Sequence, residues 1–179
     1  AMADIPKSPD SLWYLEGARH ILETGQYYEV HPVVVDGPSV SWATRMPLYP
    51  LFLATCRLVG GDAQPWIASL LQSLGNAAAA VLVFLVAEML LCSTAGLMAG
   101  LLYLVYLPTA RSACWLLTEP FALPFYVLTV YLLLCAHRSE KAACWLAAGA
   151  LLGVATLIRP NTILAPPLLV GYAGASVLR

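Results

Sequence analysis

Charge is what this chain has least of. Only 11% of its 179 residues are Asp, Glu, Lys or Arg, and eleven of those nineteen fall within the first 62 positions. The other eight leave long uncharged runs at 63–87, 89–110, 120–137, 142–158 and 160–178. A net charge of −1 provides no global field, which excludes the electrostatic footprint of a nucleic-acid binder. The five cysteines (56, 92, 114, 135, 144) are odd in number and lack CxxC or metal-ligand spacing. They read as small apolar packing residues and give no support to a zinc site or a divalent metal. No basic start, short apolar core and cleavage site mark a signal peptide. No internal repeat is visible, and the one low-complexity tract is Ala77–Ala80.

What the chain has is length without charge. A helix rises about 1.5 Å per residue, so ~17–25 apolar residues span the ~30 Å hydrocarbon core of a bilayer. With 60% hydrophobic residues and a mean hydropathy of +0.77, five such runs cannot be hidden inside a soluble domain of this size. The expected fold class is all-α: a polytopic transmembrane helical protein whose N-terminal loop, 1–62, contains two amphipathic or interfacial helices. The transmembrane region, 63–179, divides into spans at 65–91, 94–110, 119–137, 142–158 and 162–178. Their connections are Cys92-Ser93, Arg111–Thr118, Arg138–Lys141 and Arg159–Asn161.

The N-terminal loop opens with a well-marked helix. Ser8 is a good N-cap, Pro9 suits the first turn, Asp10 sits where the dipole favours an anion, and Gly25 is the stop after Thr24. Glu16, Arg19, His20 and Glu23 recur at 3–4 residue spacing and predict a polar outer face. Gln26 to Thr44 mixes β-branched and turn residues and reads as a loop or a short hairpin. A second helix from Pro47 to about Val59, ended by Gly60-Gly61-Asp62, is apolar enough to lie in the interface. Pro124, Pro166 and Pro167 should kink or break spans.

Parity then gathers residues distant in sequence. Five alternating spans put the N-terminal loop, the Arg111–Thr118 turn and the Arg159–Asn161 turn on one face. Glu88 and Glu140 fall towards the other. Arg138, Lys141 and Arg179 against Arg111 and Arg159 is a charge margin of three to two, which weakly favours an external N-terminal loop.

Four groups on the shared face each admit two readings. Asp10 could be a general base beside the membrane surface, or a first-turn carboxylate favoured by the helix dipole. Arg45, ahead of the Pro47-x-x-Pro50 turn, suits bidentate phosphate binding, or else snorkels as an interfacial anchor beside Tyr49. Glu119 at the start of a span either faces a cavity or partner, or caps the helix. Arg159, before Pro160-Asn161, could meet a ligand on the shared face, but taken alone it is fully explained as a cation at a helix C-terminus followed by a proline stop. His20, His31 and His137 form no ligand set, and the five tryptophans suit interfacial belts.

Four pieces in order carry a resemblance: Asp10-Ser11-x-x-Tyr14-x-x-x-Ala18-x-x-Ile21-Leu22-x-Thr24-Gly25; Arg45-x-Pro47-Leu48-Tyr49-Pro50-Leu51-Phe52-Leu53-Ala54; Leu117-Thr118-Glu119-Pro120; and Gly149-x-x-x-Gly153-x-x-Thr156-Leu157-x-Arg159-Pro160. Together they resemble the N-terminal part of a GT-C-type glycosyltransferase of the dolichyl- or polyprenyl-phosphate-mannose transferase superfamily. That superfamily includes bacterial aminoarabinose transferases and protein mannosyltransferases. Asp10 is followed by Ser11 where protein mannosyltransferases carry Asp-Glu, which favours the lone-Asp bacterial branch. The resemblance implies a polyprenyl-phosphate-linked sugar donor and an inverting transfer on the periplasmic or lumenal face. It implies Asp10 as general base, Arg45 and Arg159 on the donor phosphate, and Glu119 ordering the site. Tyr14, Tyr49 and Asn161 stand in supporting positions. No further cofactor is expected. The partners implied are the lipid-linked donor, membrane lipids and an acceptor that is a lipid, a glycan or a protein.

The resemblance also implies an integral protein of a bacterial inner membrane. It further implies a fragment cut at both ends and inactive in isolation, since relatives carry a span before the first acidic loop and continue beyond five spans. The rival class is a non-enzymatic polytopic membrane protein, a transporter segment or assembly subunit. Transporters place charges near the midplane, often within repeats. Here the ionisable residues cluster at span ends.

Overall fold

A computed structural model describes residues 8–27, 29–31, 39–41, 45–139 and 141–161. Helix α1 (Pro9–Thr24) begins as its capping residues dictate. The Ser8 hydroxyl accepts the Ser11 N–H at 3.1 Å, and the Ser11 hydroxyl accepts the Ser8 N–H at 3.2 Å, closing a capping box. It ends at Gly25, whose φ of 71° returns its N–H to the Ile21 carbonyl. Arg19 bridges Glu16 and Glu23 on the exposed face, and its hydrogen bond to Glu16 holds that carboxyl below the usual range. His20 departs from the expected polar stripe: it is buried, with its ring 3.2 Å from Glu16. A two-stranded antiparallel hairpin follows, β1 (Glu29–His31) against β2 (Ser39–Ser41), with Val30 opposite Val40. The short-hairpin reading is therefore the correct one, and among the described residues the helical class carries this one exception.

Helix α2 (Leu48–Gly60) buries Tyr49, Pro50, Leu53, Ala54 and Cys56 against α1 and leaves Leu51, Leu58 and Val59 exposed. Gly17 makes room for the Tyr27 ring, from which a Cβ there would stand 3.1 Å, while Pro50 of α2 would meet that Cβ at an ordinary contact distance of 3.6 Å. A 3-10 turn (Gly61–Ala63) leads into α3 (Gln64–Leu90), where Gln64 Nε2 donates to the Leu53 carbonyl at 2.9 Å and ties the two helices.

The expected span 94–110 is not one helix. Helix α4 (Ser93–Val105) stops at Tyr106, whose backbone is extended, and α5 (Leu107–Ala113) starts anew with Pro108 in its first turn. Pro108 cannot donate to the carbonyl four residues back and its ring clashes there, so it ends one helix and opens the next. The expected connection at Arg111–Thr118 is correspondingly half helical. Helices α6 (Thr118–Ser139) and α7 (Ala142–Ile158) complete the described residues. The expected fifth span, 162–178, and Glu140 lie outside them.

Two helical stretches, Leu48–Leu90 (which contains α3) and Thr118–Ser139, are long and apolar enough to cross a membrane. With 13 and 17 residues, α4 and α7 reach about 20 and 25 Å. Packing among these helices puts small residues inside and large ones outside. Ala68, Ala79, Ala80, Gly96, Gly100, Ala122, Ala136, Ala148 and Ala155 are buried, while Leu70, Leu74, Leu97, Met98, Leu101, Leu102 and Leu146 are exposed. Water would penalise so broad an apolar surface, but lipid does not, and close backbone approach replaces the hydrophobic drive as the source of cohesion. At the α3–α4 crossing, a Cβ on Gly96 would stand 2.8 Å from the Phe84 carbonyl oxygen.

Candidate active site

The capping box that starts α1 leaves the Asp10 side chain mostly in solvent, where it accepts a hydrogen bond from Arg45 Nη2 at 3.1 Å. The backbone of Arg45 is held by Tyr27, whose hydroxyl donates to the Arg45 carbonyl at 3.2 Å. Its guanidinium lies 5.5 Å from the Trp13 ring and 5.2 Å from the Tyr14 ring, close enough for cation–π attraction to both. The other terminal nitrogen, Nη1, is buried and has no hydrogen-bond partner among the described residues. A buried charged donor without an acceptor is costly, and it is oriented to receive one.

Tyr14 joins this pair to the start of α6. Its phenol hydrogen-bonds the Thr118 side chain and feels the charges of Arg45, Asp10 and Glu119. Burial pushes its pKa up, against the Thr118 hydrogen bond and Arg45, so it remains protonated at neutral pH. Its ring meets Tyr49 edge-on at 5.0 Å, and Tyr49, Phe52, Phe121 and Phe125 continue an aromatic wall from α2 to α6. Tyr49 is fully buried and donates to Gln72 Oε1 at 2.6 Å.

Glu119 lies in the first turn of α6, just past the buried Leu116, and accepts from Arg159 Nη1 at 3.0 Å. Arg159 follows α7, with its N–H on the Ala155 carbonyl, so its guanidinium crosses to the neighbouring helix. Asn161 is exposed beyond it. Asp10 and Arg45, with Glu119 and Arg159, thus stand as two ion pairs around Tyr14. At the opposite end of the helices, Ser93 donates to Glu88, and Arg138 donates to the Met89 carbonyl. Among the described residues no His, Cys, Asp and Glu group could hold a metal ion.

Gln72 and Asn76, inside α3, are polar residues that sequence reasoning passed over. Gln72 Nε2 donates to the Trp115 carbonyl at 2.9 Å, and Asn76 Nδ2 to the Pro120 carbonyl at 2.8 Å. Their i, i+4 spacing within a run free of charge was the available signal: polar side chains on one face of an intramembrane helix need partners on another.

Arranged this way, two carboxylates, two guanidiniums and a phenol adjoin an apolar surface at one end of the helices. Such a set can bind an anionic group and accept a proton. No curated protein and no solved structure matches the chain. Residues 39–179, more than three-quarters of the chain, match the family model for dolichyl-phosphate-mannose-protein mannosyltransferase. The match takes in Arg45, Tyr49, Glu119 and Arg159, while Asp10 and Tyr14 lie ahead of it. The chain belongs to the dolichyl-phosphate-mannose-protein mannosyltransferase family, membrane glycosyltransferases of the GT-C type.

Proposed function

We propose that this charged end binds a polyprenyl-phosphate-linked sugar at the external face of a bacterial inner membrane and transfers the sugar, with inversion, to an acceptor hydroxyl. In this reading α3, α4 with α5, α6, α7 and the run 162–178 cross the bilayer in succession. The N-terminal loop, the turn before α6 and Arg159 then share the external face. The observation that carries the reading is Arg45. Its Nη1 is buried without an acceptor among the described residues, beside an ion pair that an incoming phosphate can replace.

The donor phosphate takes Arg45, and Arg159 closes on it from α7. Phosphate binding to Arg45 releases the Asp10 carboxylate. Asp10 then takes the proton from the acceptor hydroxyl as its oxygen bonds to the anomeric carbon. The bond from that carbon to the phosphate oxygen breaks, and its electron pair leaves with polyprenyl phosphate. Glu119 orients Arg159, and Tyr14 and Tyr49 form the wall behind the phosphate. Because it accepts a proton but makes no contact essential to the donor, Asp10 is the direct test. Asp10→Asn in the full-length protein should keep donor binding and lose transfer by ~10²–10⁴-fold, the range of a general base. Near wild-type turnover with a lowered melting temperature would return Asp10 to a helix-dipole role.

A further inference from the structure

Pro124, inside α6, has no N–H to return to the carbonyl of Pro120 four residues earlier. Among apolar helices a carbonyl freed in this way must find another donor. Helix α3 supplies it through Asn76 Nδ2, 2.8 Å from the Pro120 oxygen. The neighbouring position makes room, because a Cβ on Gly75 would stand 3.3 Å from Pro124 Cγ. Asn76 is itself held, its Oδ1 accepting from the Tyr103 hydroxyl of α4 at 3.2 Å. One turn earlier, Gln72 donates to the Trp115 carbonyl at 2.9 Å while accepting from Tyr49. The two anchored carbonyls, at 115 and 120, bracket Thr118 and Glu119.

We propose that Gln72 and Asn76 are positioning residues: Asn76 replaces the N–H that Pro124 lacks and, with Gln72, clamps the Trp115–Pro120 turn so that Thr118 meets Tyr14 and Glu119 meets Arg159. Proline at 124 hands control of this turn from α6 to α3. The proposal rests on the reading of Glu119 as part of the donor site, and its test separates the two.

Asn76→Ala, Pro124→Ala and the double variant are compared in the full-length protein in nanodiscs. Two quantities are read, amide hydrogen exchange at Phe121, Ala122 and Leu123, whose N–H groups return to the carbonyls of this turn, and affinity for polyprenyl-phosphate-mannose. Asn76→Ala should speed exchange about tenfold, the scale of one hydrogen bond, and weaken donor binding. In the Pro124→Ala background, where α6 regains its own N–H, the same substitution should change exchange by less than about twofold. Equal acceleration in both backgrounds, or none in either, overturns the clamp. If Asn76→Ala does not fold, a folded double variant supports the clamp and an unfolded one overturns it. Exchange that follows the cycle while donor affinity stays constant upholds the clamp and removes Glu119 from the donor site.

Discussion

A guanidinium carries five N–H donors in one rigid plane, and those of Arg45 are unevenly used. Nη2 meets Asp10, the guanidinium carbon stands over two aromatic rings, and Nη1 faces no acceptor among the described residues. A phosphate offers two oxygens to that plane, so Arg45→Ala should weaken donor binding by roughly 1.5–3 kcal/mol, the scale of a charge-assisted hydrogen bond. Arg45→Lys should recover only part, because an ammonium is a point charge without the fork. Isothermal titration with polyprenyl-phosphate-mannose decides it. Unchanged affinity in Arg45→Ala would reduce this arginine to an interfacial anchor. Position and charge sign were legible in the sequence, because Glu119 and Arg159 border long uncharged runs and Arg45 stands just ahead of the Pro47-x-x-Pro50 turn. Their pairing was not, since Asp10 and Arg45 are joined by a fold that brings separate helices together.

Among the elements, the α3–α4 crossing depends most on a missing side chain. Gly96 faces the Phe84 carbonyl and the Glu88 Cβ, and Gly100 faces Phe84 one turn further on. A backbone carbonyl cannot rotate aside, so Gly96→Val must push the helices apart. The expected cost is about 1–3 kcal/mol, typical of overpacking. Gly149→Ala is the control, since a Cβ there meets nothing within 4 Å among the described residues and alanine favours a helix. Thermal unfolding in one detergent should show a clear loss for Gly96→Val and none for Gly149→Ala; equal losses would refute the argument. Elements that obey local rules were readable: Ser8, Pro9 and Gly25 mark the bounds of α1 without reference to any other helix. The break between α4 and α5 was not placed, because apolar residues run through it and only Pro108 signals it. Gln72 and Asn76 were hidden by a reading that followed charge and overlooked uncharged polarity.

For the molecule as a whole, the question is which face holds the two ion pairs. In the proposed arrangement, the N-terminal loop and Arg159 are external and the turn between α6 and α7 is cytoplasmic. Single cysteines at Ser39 and Ser139, on a background with all five native cysteines replaced, give opposite predictions for an impermeant thiol reagent. In intact cells Ser39→Cys should label and Ser139→Cys should not. The reverse result would overturn the assigned sidedness. Charge bias could not decide this, since its margin among the short connections is a single residue.

The two ion pairs also differ in when they can exist. A ribosome makes the chain from the N-terminus, so Asp10 and Arg45 are both present before α3 has been synthesised. Glu119 then emerges 40 residues ahead of Arg159, the partner that it meets at 3.0 Å. No nascent chain ending within α7 can hold both pairs. The charged end is therefore completed by the last residue to join it, and biosynthesis itself orders the assembly of the site.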